Sequence, residues 1–420
     1  MIRLLELLIS LVLVALLFVL VGLMLPADRV VQHSIETNYP ARMVYDLMNG
    51  FRRFPEWFPL RAHDPSVQFT LEGEPRGTGA RLYYTSQDPK VGAGSFEIVD
   101  SVDLERIEYH IENESRGENK RAVVEIEDEG KTRKVTWTYT VDYGWDLFGR
   151  YAGLYVNRTA GDDIKSALGH VGGLLATMPR FDYSSIEVAY EGAAPQHMLY
   201  VPLKTKRNIT AVEEGMVKAI TAIRSTLTAN KLETAGPVRL ITTNFGSDEY
   251  EFDVAIPFLA PEDAQFIDAD EYMAREKAKE EEAARAAAGL ADESEDETGE
   301  GEEGDEQPES AEDVAAREAE EAAAAALANL LPQEAKPALP FIEGLVLPDN
   351  VKQGVTYSGR VVTTEYAGHP AALPLLRDQL RAYAATHGDV VQDRAYEEYL
   401  NEITETAAED SEFRIFWPIR

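Results

Sequence analysis

Cysteine is absent from the 420-residue chain, which excludes disulfide bonds, thiolate metal sites and cysteine nucleophiles. Basic residues are scarce: 40 Lys and Arg stand against 74 Asp and Glu, for a net charge of −34. This balance argues against binding to nucleic-acid phosphates, which needs Lys and Arg surfaces. The length itself indicates two or three domains, because one ordinary core does not grow this large.

Recognisable catalytic and metal-binding motifs are also missing. None of the seven histidines has another histidine three or four residues away, so no zinc site of the HExxH type exists. The chain has no P-loop and no G-x-S-x-G motif. The sequence therefore predicts no metal site and no cofactor.

Long hydrophobic runs are missing except at the N-terminus, where Leu7 to Leu25 is uncharged and long enough to cross a hydrocarbon core of about 30 Å. Two interpretations fit this run: an uncleaved anchor, or a signal peptide cut after Ala27. The run is too long for a signal peptide, and Leu25 stands where a small residue is wanted. We predict that residues 1–26 form a single-pass anchor in the inner (plasma) membrane, and Arg3 favours a cytoplasmic N-terminus with an extracytoplasmic body.

Residues 27–182 have the pattern of an α+β domain. "RVVQHSIET" alternates as a strand does, and "PARMVYDLMNGFRRFPEWF" has a helical period until Pro55. Six strand-like runs separated by Gly, Asp and Asn follow, and a helical period of some thirty residues closes the segment.

This order, with "YPARMVYDLMNGFRRFPEWFP" and "GAGSFEIVDSVDLERIEYHIE", resembles the START-like (SRPBCC) superfamily, which includes Bet v 1 and polyketide cyclases. The resemblance implies a helix-grip fold, in which a curved antiparallel sheet wraps around a long C-terminal helix and encloses an apolar cavity. The inward-facing candidates are Trp57, Tyr83, Phe96, Tyr109, Trp137, Tyr139 and Leu168, of which Trp57, Tyr83, Tyr109, Trp137 and Tyr139 are predicted to bind a ligand. The alternative is that these aromatic side chains simply fill the core.

The remaining residues, 183–420, contain a repeat. "EFDVAIPF" at 251–258 is echoed by "EFRIFWPI" at 412–419, and each copy has a strand, a helical segment and a further strand-like segment before it. Two βαββ copies, each too small to bury its own sheet face, become stable when they pack about a pseudo-twofold axis. We expect both closing strands inside the joined sheet because both are apolar.

Three segments in the second copy, "GRVVTTEYAGHPAAL", "YEEYL" and "FRIFWPI", resemble the GyrI-like effector-binding domain. The resemblance implies a cleft between the halves that binds small, often cationic and aromatic molecules through ring stacking and a buried carboxylate. By the match, Glu397 and Tyr399 fall on the Glu and Tyr of the family. The predicted ligand-binding residues are Tyr366, Glu397, Tyr399, Phe416 and Trp417. If the protein is an enzyme, Glu397 is the candidate general acid or base, with a pKa raised by burial.

One position departs from the GyrI-like pattern. Arg414 stands where the family usually has an acid, and Asp253 occupies the equivalent place in the first copy. The two side chains either approach each other across the pseudo-twofold and pair, or both point to solvent.

An acidic insert, residues 262–337, separates the copies. Residues 290–309 are acidic and poor in apolar side chains, which predicts disorder, and Ser310 with Asp313 has the spacing of a capping box. The insert is either a solvated spacer, which a loop tolerates at little entropic cost, or an acidic arm for a basic partner.

Together these observations predict an α+β chain with an N-terminal transmembrane helix, a START-like domain over 27–182 and a GyrI-like domain over 183–420. The expected function is membrane-anchored binding or sensing of an apolar or amphipathic small molecule, such as a lipid-derived one. Two alternatives remain open: a hydrolase or cyclase acting on such a ligand, and a scaffold protein that recruits a partner through the acidic insert.

Overall fold

The computed structural model describes residues 2–275, 277–279, 281, 338–403 and 406–420. These residues form two compact units. Unit 1 comprises Met1–Val188 and Pro374–Val391, and unit 2 comprises Ala189–Leu373 and Gln392–Arg420. The disorder predicted at 290–309 and the capping box predicted at Ser310 and Asp313 lie outside the described residues.

Unit 1 begins with the predicted apolar helix, α1 (Ile2–Met24). In the described part of the chain, its segment Glu6–Met24 is the one helix long and apolar enough to cross a membrane. The prediction of an N-terminal apolar helix is confirmed.

The rest of unit 1 is a sheet with short helices before it and a longer helix after it. In chain order the elements are β1 (Asp28–Thr37), α2 (Ala41–Met48), α3 (Phe54–Trp57), α4 (Leu60–His63), β2 (Gln68–Gly73), β3 (Ala80–Thr85), β4 (Ala93–Val102), β5 (Arg106–Asn113), β6 (Glu118–Asp128), β7 (Arg133–Asp142), α5 (Leu147–Ala152), a 3-10 helix (Gly153–Arg158) and α6 (Ala160–Ala176). The seven strands are antiparallel in the order β1-β7-β6-β5-β4-β3-β2. The prediction of an α+β fold with a large antiparallel sheet is confirmed.

Helix α6 lies along β1 and buries one face against the sheet. Its buried side chains recur at helical spacing and include Ile164, Leu168 and Val171. On the sheet side, every second residue of a strand faces this core. In β3 the inward residues are Leu82 and Tyr84, both buried.

The same alternation corrects one prediction. Tyr83 lies between Leu82 and Tyr84, so its side chain points to the outer face of the sheet and is only half-buried. The inward orientation expected for Tyr83 is therefore wrong, because the aromatic pair "YY" places one ring on each face.

Unit 2 contains one large sheet and a helix that packs on it. Its elements, together with the helix that follows β16 in the chain, are β8 (Ala189–Ala193), β9 (His197–Lys206), α7 (Ile209–Ala229), β10 (Glu233–Thr234), β11 (Val238–Phe245), β12 (Glu249–Leu259), β13 (Phe266–Ile267), β14 (Phe341–Ile342), β15 (Lys352–Val355), β16 (Gly359–Ala367), α8 (Leu373–Thr386), β17 (Tyr396–Tyr399) and β18 (Glu412–Ile419).

The large sheet has one main path of paired strands. The main path is β15-β9-β12-β11-β17-β18-β16-β8, and β10 pairs with β12. The first copy contributes β9-β12-β11 and the second contributes β17-β18-β16, so the copies meet antiparallel where β11 pairs with β17. The closing strands β12 and β18 each lie between two strands of their own copy, which is the interior position that the repeat predicts.

Helix α8 belongs to the second copy by sequence, but the contacts of Pro374–Val391 group it with unit 1. Gln379 Nε2 donates to Asp182 O at 2.6 Å, and the rings of Tyr183 and Tyr383 meet edge to face at 5.3 Å. Arg53 also donates to Ala385 O. The grouping therefore departs from the division at residue 183 that the sequence suggests.

The two ends of the acidic insert are joined at its base. Phe266 pairs with Ile342 and Ile267 with Phe341 in a two-stranded sheet. Tyr272 stacks on Phe341 with ring centroids 4.3 Å apart. The described base of the excursion thus runs from 266 to 342, four to five residues further toward the C-terminus than the predicted limits of 262 and 337.

Candidate functional site

The large sheet of unit 2 has two different faces. Helix α7 covers one of them, the helix face, by packing Ile220, Ile223 and Leu227 in one apolar cluster with Leu199 and Val254. The opposite face, the far face, carries a second buried apolar cluster formed by Met198, Ile241, Ala255, Val361, Tyr396 and Phe416.

The five predicted ligand-binding residues of the second copy are divided between these faces. Directly paired residues of neighbouring strands share a face, and Glu397 is paired with Leu240 of the helix-face cluster. Tyr399, two residues further, lies on the same face. Phe416 belongs to the far face, and its neighbour Trp417 points the other way. The five residues therefore do not line one common site.

A cleft of about 70 Å³, the helix-side cleft, opens between α7 of the first copy and β17 and β18 of the second. Its walls are mostly apolar and its rim is polar; the lining residues are Ile209, Val212, Glu213, Met216, Pro370, Tyr399, Asn401, Ile403, Thr406, Ala408, Ser411, Glu412 and Phe413. The rings of Tyr399 and Phe413 meet edge to face at 4.9 Å, and Tyr366 stacks on Phe413 at 6.1 Å. Of the predicted residues, Tyr399 lines this cleft, and Tyr366 contacts it only through the ring of Phe413.

Glu397 and Trp417 lie on the helix face outside the cleft lining. Only 1% of Glu397 is exposed, and Trp417 is half-buried. Glu397, the candidate acid or base, therefore lies outside the cleft whose wall contains the Tyr399–Phe413 aromatic pair.

On the far face, the sheet holds a buried charged network that the sequence analysis missed. Arg239 of β11 contacts Glu398 of β17 at 2.8 Å and donates to Gln196 Oε1 at 3.0 Å. The guanidinium of Arg239 also lies 5.5 Å from the ring centre of Tyr396, and burial raises the pKa of Tyr396 to about 12. Phe416 is paired directly with Tyr396 on this face, and Glu398, two residues further along β17, is paired with Arg414. A shift of the "YEEYL" match by one residue, from Glu397 to Glu398, would have found the network.

A smaller cavity of about 40 Å³ adjoins this network. It is lined by Met198, Arg239, Ile241, Val355, Thr356, Tyr357, Asp393, Arg394 and Tyr396. The lining has two arginines and one carboxylate, but Arg239 and Arg394 are paired with Glu398 and Asp253, so the cavity has no strong preference for a ligand of one charge.

The expected pair between Asp253 and Arg414 does not form. Asp253 accepts from Arg394 at 2.7 Å, whereas Arg414 contacts Glu191 at 2.6 Å and Glu398 at 3.8 Å. The reason is strand order: β11 and β17 lie between β12 and β18, so the equivalent positions are three strand spacings apart. The solvent alternative is also wrong for Asp253, which is buried.

The interior of unit 1 is an aromatic cluster. The rings of Trp57, Phe58 and Tyr109 lie 5.9, 6.0 and 5.8 Å from that of Trp137. Tyr109 OH donates to Met48 O at 2.6 Å, and Tyr139 is buried nearby on β7. The predicted ligand-binding rings Trp57 and Tyr109 thus both contact Trp137.

Two polar atoms in this cluster stand out. Trp57 Nε1 and Trp137 Nε1 are buried and have no hydrogen-bond partner among the described residues. Buried indole N–H groups normally find an acceptor. These two donors are therefore available to a polar atom that enters the cluster.

No group of three or more His, Asp or Glu side chains within the described ranges is arranged to hold a metal ion.

Comparisons with known proteins give no family. No protein-family model matches the chain, and no curated protein matches it. Among solved structures, it is similar to protein Ms6760 from Mycobacterium smegmatis, with 17% identity over 35% of this chain and 91% of that one and a TM-score of 0.27. A hydrolase from Listeria innocua aligns with 9% identity over 56% of this chain and 92% of that one, with a TM-score of 0.29. The C-terminal domain of EcmrR aligns with 6% identity over 56% of this chain and 98% of that one, with a TM-score of 0.31. All three TM-scores are below 0.5.

Proposed function

We propose that the chain is a membrane-anchored protein that binds a small apolar or amphipathic molecule, and that the helix-side cleft is its binding site. The observation that carries the proposal is the cleft itself, an apolar opening between the two repeats with the Tyr399–Phe413 aromatic pair in its wall. Ligand sites are typically concave, mostly apolar and supplied with a few polar groups.

The architecture supports the same proposal. The strand order of unit 1 and its closing helix fit a START-like helix-grip domain. The strand order of unit 2 fits two joined βαββ copies, as in a GyrI-like domain. Helix α1 supplies the anchor. Arg3 before the span and the acidic Asp28 after it favour an extracytoplasmic body at the inner membrane.

The dimensions of the cleft limit the guest. An apolar cavity of about 150 Å³ holds a benzene molecule. At about 70 Å³, the cleft receives the apolar end of a molecule and leaves its other end at the rim. Glu213 and Asn401 at that rim offer a carboxylate and an amide, which suits a guest with a cationic or hydrogen-bonding head.

Binding is favoured over turnover by the position of Glu397. An acid or base must come within hydrogen-bond reach of the reacting atom. Glu397 does not line the cleft, so a guest seated there does not meet it directly.

The unpartnered indole donors of Trp57 and Trp137 favour a second, deeper contact in unit 1. A carbonyl or hydroxyl oxygen of a guest would satisfy them after a modest displacement of the surrounding rings. Native mass spectrometry of the full chain released from nanodiscs tests for such a guest: a retained small molecule supports this contact, and loss of it in a Trp137→Phe variant assigns it to unit 1.

The cleft is tested with p-cresol, a small amphipathic aromatic probe, by saturation-transfer difference NMR on the full chain in nanodiscs. Val212 lines the cleft, and Val217 on the same helix does not. Val212→Trp fills the cleft and should abolish saturation transfer, whereas Val217→Trp should preserve it. Equal transfer in both variants would place the probe elsewhere and contradict the proposed site.

A further inference from the structure

Four large apolar side chains stand exposed in a short segment of unit 1, residues 145–155. The exposed fractions are 83% for Trp145, 64% for Phe148, 53% for Leu154 and 62% for Tyr155. Single exposed apolar residues are ordinary, but a cluster of this kind indicates a surface that is covered by something else.

This segment is attached to the end of α1. The ring of Tyr151 stacks on that of Phe18, with centroids 4.4 Å apart, and Tyr151 OH donates to Phe18 O at 2.8 Å. Leu147 and Tyr151 also fill the space beside Gly22, where an added Cβ would lie 3.3 Å from each. Helix α5 thus packs along the last two turns of α1.

Arg150 fixes the arrangement. Its Nη1 donates to Leu23 O and Leu25 O at 3.2 Å each, which satisfies carbonyls that the end of a helix leaves without partners. Its Nη2 and Nε donate to Gly144 O at 2.6 and 2.9 Å. One buried guanidinium therefore joins the turn before α5 to the C-terminal end of α1.

The depth of the contact follows from helix geometry. Phe18 precedes Met24, the last residue of the candidate span, by six residues, or about 9 Å along the axis at about 1.5 Å per residue. A segment that touches Phe18 therefore reaches below the end of the span. If α1 crosses the membrane, Phe148 and its neighbours cannot remain in bulk water.

We propose that residues 145–155 form an interfacial segment that inserts into the bilayer leaflet at the C-terminal end of α1. The proposal rests on the membrane anchor of the proposed function. Trp and Tyr are the residues that prefer the membrane–water boundary. Arg116 contacts Asp146 at 2.9 Å and lies 5.8 Å from the ring centre of Phe148, so it stands beside the segment where lipid phosphates would be.

The packing of α5 on α1 favours the anchor over the signal peptide. Cleavage after Ala27 would remove α1 and leave Leu147, Tyr151 and the buried Arg150 without the partners described above. The interfacial segment accordingly requires an intact α1.

Because the chain has no cysteine, single spin labels can be placed without background. We would label Phe148→Cys and Leu154→Cys in the interfacial segment, Val14→Cys in α1, and Leu71→Cys as a matched control. Leu71 is 52% exposed and lies in β2, at the opposite edge of the sheet from β1. The full chain would be reconstituted in vesicles of phosphatidylcholine and phosphatidylglycerol, and label collisions with oxygen and with a water-soluble nickel complex would be measured by EPR.

The nickel collision rate at 71 should be several-fold higher than those at 148 and 154, and the oxygen collision rates at 148 and 154 should lie between those at 71 and 14. If the labels at 148 and 154 match that at 71 while 14 is in lipid, the interfacial segment is refuted and the anchor stands. If 14 is also in water, the anchor fails and the segment with it. Weak collisions with both reagents at 148 and 154 would mean a protein contact and would also overturn the proposal.

Discussion

The buried ion pair at the junction of the two repeats should stabilise unit 2 only as long as both partners are present. Arg239 and Glu398 are directly opposite each other on β11 and β17, 2.8 Å apart, with 13% and 9% of their side chains exposed. Arg239→Met leaves the Glu398 carboxylate buried, with the Arg414 guanidinium 3.8 Å away as a weaker partner. Breaking a buried pair from one side costs about 3–5 kcal/mol, because the remaining charge is uncompensated.

A loss of stability of this size should be visible as faster hydrogen exchange of β17. At about 1.4 kcal/mol per factor of ten, the opening of β17 should become on the order of a hundred-fold to several-thousand-fold more frequent. The double variant Arg239→Met with Glu398→Met removes both charges and should return exchange to within about tenfold of the natural chain, since apolar replacement of a whole pair is often neutral. The measurement is hydrogen exchange of β17 peptides in the full chain by mass spectrometry, which reports local opening.

Unit 1 provides a matched control. Arg81 and Glu97 are also directly opposite on neighbouring strands and lie 2.7 Å apart, but 46% and 28% of their side chains are exposed. Arg81→Met should cost under about 1 kcal/mol and change exchange of β3 less than about fivefold. If Arg239→Met has an effect no larger than this control, or if the double variant is as damaged as the single one, burial does not govern the strength of the pair and our reasoning is wrong.

Three further predictions concern stability. Gly117 has φ +96°, and the side chain of Val141 lies beside its missing Cβ, whereas Gly130 has φ +87° and no heavy atom within 4 Å of that position. The additional clash at Gly117 should cost about 1–3 kcal/mol of stability. Gly117→Ala should therefore lower the thermal midpoint more than Gly130→Ala does. Burial lowers the pKa of His197 below its usual 6.5, so the unfolded state binds this proton more readily and stability is lost as the pH falls below about 6.5. In a series of unfolding measurements at decreasing pH, His197→Gln should weaken this loss of stability. An unchanged dependence of stability on pH would exclude His197 as its source. Replacing residues 282–337 by a short Gly-Ser linker should leave the thermal midpoint unchanged, because the pairing of β13 with β14 closes the base of the insert. Phe341→Ala, which removes a buried ring from that base, should lower the midpoint. A markedly lower midpoint in the linker variant would contradict a spacer role for the insert.

Much of the fold followed from local patterns. The uncharged run at the N-terminus predicted α1, and the period-two alternation predicted the strands of both sheets. The echo between "EFDVAIPF" and "EFRIFWPI" predicted that β12 and β18 occupy equivalent interior positions, and the strand order places them there. These features depend on residues close together in the chain, where hydrophobic period and helix length carry the information.

The site followed less well. The pattern "YEEYL" was matched on its first Glu, but the sheet puts Glu398 on the same face as Phe416, paired with Arg414, and leaves Glu397 on the other face with Tyr399. Neighbouring residues of a strand point to opposite faces of the sheet, so an error of one residue in the match places the side chain on the wrong face.

The sequence by itself determined that the chain has an N-terminal apolar helix and an α+β fold with large antiparallel sheets, and it predicts a repeated βαββ unit. Only the tertiary structure decided that Arg239 meets Glu398, that Arg414 and Asp253 have separate partners, and that Trp137 is packed among other rings. The physical reason is that strand order and register bring together residues that are distant in sequence. Which charge is compensated and which ring leaves room for a guest are properties of those long-range pairings.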